Sequence, residues 1–318
     1  MMNKGLEIDI AQCAEFLKSK DRFLLVTHVR PDGDTIGSAA ALCLALVSIG
    51  KTAYLYNNKQ VTSLYRPFFE PHVAPDGFSP DCVVTLDLAT PPLFPQGFEM
   101  DVNLSIDHHG SNSFYARQSL VDGTRASCGE LVCDVISNMG IALTPEISDA
   151  LYIAVSTDTG CFCYDNTTAD THRIAAKLME SGARSGYLNK ILFRTASITR
   201  MKLESLIISN VSLHHSGKVA IAPITLDMMK SVNAGVEDCD DLSSFPGKIS
   251  GVSVGITMRE INPERFRVSV RTGPDVNAND ICRLFDGGGH RQAAGCTVTG
   301  ELNTARSKIL SAVEVVMK

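Results

Sequence analysis

Three β-rich runs in the first third of the chain, RFLLVTH (22–28), CVVTLD (82–87) and VNLSID (102–107), each stop on a histidine or an aspartate. No other pattern restricts the fold as much. Short, nearly continuous apolar runs read as strands covered on both faces. Stretches of helical length lie among them, at about 7–19, 35–49, 127–139, 146–156 and 168–181. KTAYLYN (51–57) and ARQSLVD (116–122) read as further strands. Strands alternating with helices predict an α/β fold, a doubly wound and mostly parallel sheet with helices on both faces. In such a sheet the carboxyl ends of the strands border the ligand crevice, so polar residues at several strand ends converge on one place.

The pattern changes after about residue 183. ARSGYLNKILFRTASITR (183–200) is polar, and a helix at 200–210 leads out of it. VSLHHSGKVAIAPI (211–224) and GVSVGITMRE through RFRVSVRT (251–272) read as hairpins, turning at HSGK and INPER. A glycine-rich loop, DGGGH (286–290), and a last helix at 304–317 close the chain. With 318 residues, the chain is long for one core. We expect an N-terminal catalytic domain over 1–185, a linker over 186–203, and a smaller C-terminal α/β domain with a mixed sheet over 204–318.

Composition narrows the function. A net charge of −6 excludes a polycation that coats nucleic acid, so an anionic substrate needs local positive charge from Arg, Lys or metal. The start, MMNKGLEIDIAQCAEF, is not a secretory leader, and the most apolar stretch, IGSAAALCLALVSIG (36–50), reads as a buried helix. A cytoplasmic protein is expected. None of the ten cysteines forms a C-x-x-C pair, and core packing is the reading for them, Cys161 and Cys163 included. The absence of G-x-G-x-x-G after the first strand argues against a dinucleotide-binding dehydrogenase.

Asp32, Asp34, Asp87, Asp107 and Asp158 recur at strand ends or in loops, and His28, His108 and His109 stand beside them. A single such Asp is ordinarily a turn residue or a helix cap. Several converging carboxylates repel one another unless a cation sits among them. Oxygen ligands with imidazoles suit Mn²⁺, Mg²⁺ or Fe²⁺. Six candidate ligands exceed what one ion needs, so two ions bridged by a carboxylate fit better. Two dications would offset four of the six net negative charges.

The set H-x-R-P-D-G-D (28–34), Asp87 in VTLD, Asp-His-His (107–109) and Ser-Thr-Asp-Thr-Gly (156–160) resembles the DHH phosphoesterase family. SVRT (269–272) and DGGGHRQAAG (286–295) resemble its associated C-terminal substrate domain. The resemblance covers nearly the whole chain. It implies that His28, Asp32 and Asp87 hold one Mn²⁺, and that Asp34, Asp87, His108 and Asp158 hold a second, with a bridging water as the attacker. It implies that Asp107 orients an imidazole and that His109 faces the scissile phosphate. Arg271, the amides of Gly287, Gly288 and Gly289, and His290 would grip a substrate phosphate. Asp286 stands where the family often has a further glycine, which adds a negative charge to the loop. Length and layout resemble the branch that cleaves very short RNA to mononucleotides and removes the 3′-phosphate of adenosine 3′,5′-bisphosphate. The expected partners are short RNA oligonucleotides or nucleotide phosphates. No membrane and no groove for long nucleic acid are expected, and a homodimer stays open. The alternatives are a phosphodiesterase for cyclic or linear dinucleotides and a non-catalytic nucleotide-binding module. No base-stacking ring stands out; Tyr115, Phe193 and Phe285 read as core.

Overall fold

The structure is a computed structural model that describes residues 5–240 and 242–317. The chain divides into two compact units between Thr195 and Ala196.

The first unit is built on six parallel strands in the order β1-β6-β5-β4-β2-β3. They are β1 (Leu6–Glu7), β2 (Phe23–Val26), β3 (Ala53–Leu55), β4 (Cys82–Leu86), β5 (Leu104–Asp107) and β6 (Gln118–Val121). Strand β2 is followed across helix α2 (Gly33–Ser48) by the edge strand β3, and the chain then returns to β4 on the other side of β2. The crossover direction reverses there, which opens a crevice at the carboxyl ends of β2 and β4. Side chains alternate along the strands. Phe23 and Leu25 join the larger core with α1 (Ile10–Ser19), α2, α4 (Cys128–Asn138), α5 (Pro145–Asp158), α6 (Ala169–Glu180) and α7 (Ser185–Phe193). Leu24 and Val26 face an aromatic cluster of Tyr56, Phe94, Phe98 and Tyr115. A one-turn helix, α3 (Arg66–Phe69), adds Phe69 to the larger core.

Two expectations are corrected in this unit. The first helix starts at Ile10, because Asp9 caps it in a reciprocal pair with Gln12. Glu7, which the helix pattern reached, instead joins Leu6 in a strand parallel to β6. Residues 186–203, read as a linker, hold most of α7 and the start of α8 (Ile198–Ser209). Leu188 of α7 is fully buried in the first core, so this stretch is packed structure.

The second unit carries a mixed sheet, order β11-β12-β10-β9-β8-β7. Its strands are β7 (Ser212–His214), β8 (Val219–Ile224), β9 (Val254–Asn262), β10 (Arg265–Thr272), β11 (Gly288–Gly289) and β12 (Ala293–Thr299). Both hairpins form as expected, and only β8 and β9 run parallel. One core packs α10 (Ala278–Arg283) and α11 (Leu302–Val316) on the sheet; a smaller one joins α8 and α9 (Leu226–Ser231) to β8. No helix among the described residues is long and apolar enough to cross a membrane.

Candidate active site

The site is assembled from the carboxyl ends of β2, β4 and β5 and the ends of three helices. Asp32 caps α2, accepting from the amides of Asp34 and Thr35. Asp32 thus fills the cap role that such an Asp ordinarily has, while its Oδ1 also stands near His28 Nε2. Thr35 Oγ1 donates to Leu86 O at 2.8 Å and ties the first turn of α2 to the end of β4. Asp34, buried in that turn, accepts from the amides of Cys128 (2.7 Å) and Gly129 (2.9 Å), at the start of α4. Asp158 is the last residue of α5. Helices α2 and α5 meet backbone to backbone. A Cβ on Gly33 would stand 2.4 Å from Thr157 Oγ1, and one on Gly37 would stand 2.4 Å from Ala150 O. That close approach brings Asp34 and Asp158 to one place.

Asp87 follows β4 with a φ of 56°, in the left-handed region. Asp is one of the few non-glycine residues that adopt this region readily. The backbone holds it: the Asp87 N–H donates to Ile106 O at 2.9 Å, extending the contact of β4 with β5.

The ligand atoms stand in two sets. His28 Nε2 is 3.6 Å from Asp32 Oδ1 and 3.7 Å from Asp87 Oδ2. His108 Nε2 is 3.7 Å from Asp34 Oδ2, 3.5 Å from Asp158 Oδ2 and 3.5 Å from Asp87 Oδ1. Asp87 belongs to both sets, one oxygen facing each. These separations are too long for hydrogen bonds. They suit donors arranged around a common ion, since ligands at roughly 2.1 Å from an ion stand about 3–3.5 Å apart. The His28 and His108 Nδ1 atoms face the backbone oxygens of Val29 (2.8 Å) and Arg125 (3.1 Å), which turns both Nε2 atoms into the site.

Two further observations fit a cation. Asp87 Oδ1 is buried with no hydrogen-bond partner. Buried polar atoms are normally paired, so an orphan here calls for one. Electrostatics agree. Burial pushes the Asp34 and Asp87 carboxyls well above the ordinary 3.8, and neighbouring carboxylates add to it, Asp158 and Asp32 at Asp34, and Asp34 and Asp32 first at Asp87. Burial also raises Asp158, against the opposing pull of His108.

Asp107 and His109 form a pair beside the cluster, with His109 Nδ1 also 3.4 Å from Asp87 Oδ1. His109 Nδ1 donates to Asp107 Oδ1 at 2.8 Å, and Asn112 Nδ2 donates to Asp107 Oδ2 at 2.6 Å. This hydrogen bond raises the His109 pKa; burial works against the shift at Asp107, which is nonetheless held low by His109 and Asn112. Asp107 orients His109, and His109 is half exposed. The amides of Cys128 and Gly129, Asn112 and the Arg125 carbonyl were not foreseen. Only Ser127, the cap of α4, left a local signal for one of them.

The glycine segment behaves differently from its expectation. Gly287 N donates to Cys282 O (3.0 Å) and His290 N to Ala293 O (2.8 Å), so these amides are already bonded within the unit. Gly288 and Gly289 form β11, paired with β12. A Cβ on Gly287 would lie 2.4 Å from Gly295 O, so close backbone approach explains glycine there. Asp286 takes a φ of 55°, a conformation that Asp tolerates well. The His290 side chain is exposed, and Arg271, half buried, reaches Ser243 Oγ at 3.3 Å. Eight cysteines are buried, as core packing requires; Cys161 is half buried and Cys163 exposed.

Comparison with known proteins places this geometry. Residues 22–155 match the N-terminal domain of the DHH family, and residues 214–318 match the DHHA1 domain. The chain is 33% identical over 310 residues to the bifunctional oligoribonuclease and PAP phosphatase NrnA of Thermus thermophilus, covering 94% of this chain and 92% of that one. It is 26% identical over 296 residues to the protein of the same name from Bacillus subtilis, covering 87% and 90%. An exopolyphosphatase-related protein of Bacteroides fragilis shares the fold, with a TM-score of 0.87 at 22% identity over 96% of this chain and 95% of that one. Both domains match in order and the likeness runs nearly end to end: the chain belongs to the DHH family, carries a DHHA1 domain, and is a hydrolytic phosphoesterase.

Proposed function

We propose that the protein hydrolyses short oligoribonucleotides to mononucleotides and converts adenosine 3′,5′-bisphosphate to AMP, in the cytoplasm and with two divalent ions, Mn²⁺ foremost. One observation carries this reading: Asp87 turns one oxygen to the His28 set and the other to the His108 set, in a chain one-third identical to an oligoribonuclease and PAP phosphatase. His28, Asp32 and Asp87 would hold one ion, and Asp34, Asp87, His108 and Asp158 the other. Ions there activate water and neutralise phosphate charge. The chain's own groups do the rest. The Asp87 N–H bond to Ile106 O and the α4 amides on Asp34 fix the carboxylates before substrate arrives. With Nδ1 donating to Asp107, the His109 Nε2 is the nitrogen left to face a phosphoryl or leaving oxygen and to move a proton there. Arg271 and His290 are the second unit's groups for a substrate phosphate, through side chains more than through glycine amides.

The test is release of mononucleotides from two- to five-nucleotide RNA, of phosphate from adenosine 3′,5′-bisphosphate, and of linear product from cyclic di-AMP. Each is run with Mn²⁺, Mg²⁺ or EDTA, on wild type and Asp87→Ala. The expected result is manganese-dependent cleavage of the first two, lost in the variant. Preferred cleavage of the cyclic substrate replaces this reading with dinucleotide turnover.

A further inference from the structure

The turn after α5 is unusual. Gly160, Cys161 and Phe162 take φ values of 56°, 57° and 65°, three left-handed residues in a row. Two of them carry side chains, so the surroundings must hold this conformation. They do. The Phe162 ring stacks on His172 at 5.5 Å and leans on Tyr152 at 5.9 Å. Thr159 O accepts from the amides of Cys163 (2.9 Å) and Tyr164 (3.0 Å). Asn166 Nδ2 donates to Asp158 O (3.1 Å) and Ala126 O (3.0 Å), closing the turn onto the helix end that carries Asp158.

The product of this turn is the placement of one ring. Tyr164 lies against the backbone of Gly160, so closely that a Cβ there would stand 2.3 Å from Tyr164 Cζ. A side chain at position 160 is excluded both by the ring and by φ. One part of the ring is braced by backbone two residues from Asp158, yet Tyr164 as a whole is 58% exposed. Of the three rings expected in the core, Phe193 is instead exposed, at 38%, at the end of α7, and the other two do not match this arrangement. Tyr115 is tied down by its hydroxyl to Thr85 and Leu88, and Phe285 packs against the second core. An exposed ring, braced from behind by backbone two residues from Asp158, has the form of a nucleotide subsite.

We infer that Tyr164 is the stacking platform for a nucleobase of the substrate, a residue that sets affinity for nucleotides over base-free phosphoesters. The inference rests on the proposed reading of the site as one for short oligonucleotides. Stacking accepts any base, since every base has a π face, so the platform predicts loose base preference.

The test is equilibrium binding of a dinucleotide containing 2-aminopurine, read by fluorescence quenching, alongside steady-state cleavage of ordinary diribonucleotides and of one with an abasic sugar. Wild type, Tyr164→Phe and Tyr164→Leu are compared, with matched thermal unfolding as the fold control. Wild type and Tyr164→Phe should quench alike. Tyr164→Leu should bind about tenfold more weakly, equal to about 1.4 kcal/mol, with a matching rise in KM and kcat within about twofold. On the abasic substrate the three proteins should show the same KM. Cleavage by wild type with quenching unchanged in Tyr164→Leu overturns the platform and leaves the proposed function standing. An equal loss on the abasic substrate also overturns it, because the role is then structural. Quenching that depends on Tyr164 in a protein that cleaves nothing supports the platform and removes the proposed function. No quenching by wild type overturns the platform.

Discussion

The carboxyl end of the N-terminal sheet and the glycine segment at the edge of the C-terminal sheet carry equally specific sequence motifs, yet they differ in how their polar groups are satisfied. At the strand ends, Asp34 and Asp87 are buried beside other carboxylates, and Asp87 Oδ1 has no hydrogen-bond partner. In the glycine segment, the Gly287 and His290 amides already donate to Cys282 and Ala293. The carboxylate cluster calls for a cation; in the glycine segment the flanking amides are already bonded, and Gly287 and Gly289 allow close backbone approach. A cluster of polar residues is informative when the fold leaves its needs unmet.

That contrast can be broken or sharpened by experiment. The largest effect is expected at Asp87. Asp87→Ala should lower phosphoesterase activity by about 1,000-fold or more while the metal-free protein unfolds at the same temperature or higher, because a buried carboxyl crowded by other carboxylates is removed. A fall in the metal-free midpoint would show that Asp87 is a structural group. Next comes Gly37→Val, which drives side-chain atoms into the backbone of α5. A loss of about 1–3 kcal/mol is expected, together with weaker Mn²⁺ binding by calorimetry, since Asp34 and Asp158 are pushed apart. Equal Mn²⁺ affinity in a folded variant would mean that the helix contact does not set the ligand geometry.

The raised carboxyls give a pH dependence. A group whose folded pKa lies above its unfolded value contributes stability at low pH that is lost as pH rises through the folded value. For Asp34 this loss begins above the ordinary 3.8, with burial the main cause. The midpoint of metal-free wild type should therefore fall, relative to Asp34→Asn, as pH rises from that value, and saturating Mn²⁺ should remove the difference. A relative rise with pH would mean that Asp34 is stabilised as the anion. The smallest effect is expected at Gly288, where a Cβ would meet only Asn279 Oδ1 at 3.8 Å. Gly288→Ala should change stability by less than about 0.5 kcal/mol and leave KM for short RNA unchanged. A large rise in KM would restore the glycine segment to a direct role in holding phosphate.

Much of the fold was legible because strand and helix periods are local. The runs at 82–87 and 102–107 became β4 and β5, and the pattern at 168–181 became α6. Boundaries slipped where a cap or a distant partner decided them. Asp9 with Gln12 moved the start of α1, and burial of Leu188 turned an expected linker into α7.

By itself the sequence determined the chemistry on offer: which oxygen and imidazole donors exist, that they follow apolar strands, and that the same chain ends in a second, hairpin-based unit. Tertiary structure alone decided how those donors meet. The amides that hold Asp34 lie 94 and 95 residues away, on a different helix. The partner of Asp107 proved to be His109, while His108 took the Arg125 carbonyl. Tyr164 acquired its meaning from a left-handed turn folded back on α5. Residue type and period are properties of neighbours along the chain; desolvation, orphaned oxygens and a bared ring are properties of neighbours in space, which exist only once the chain has packed.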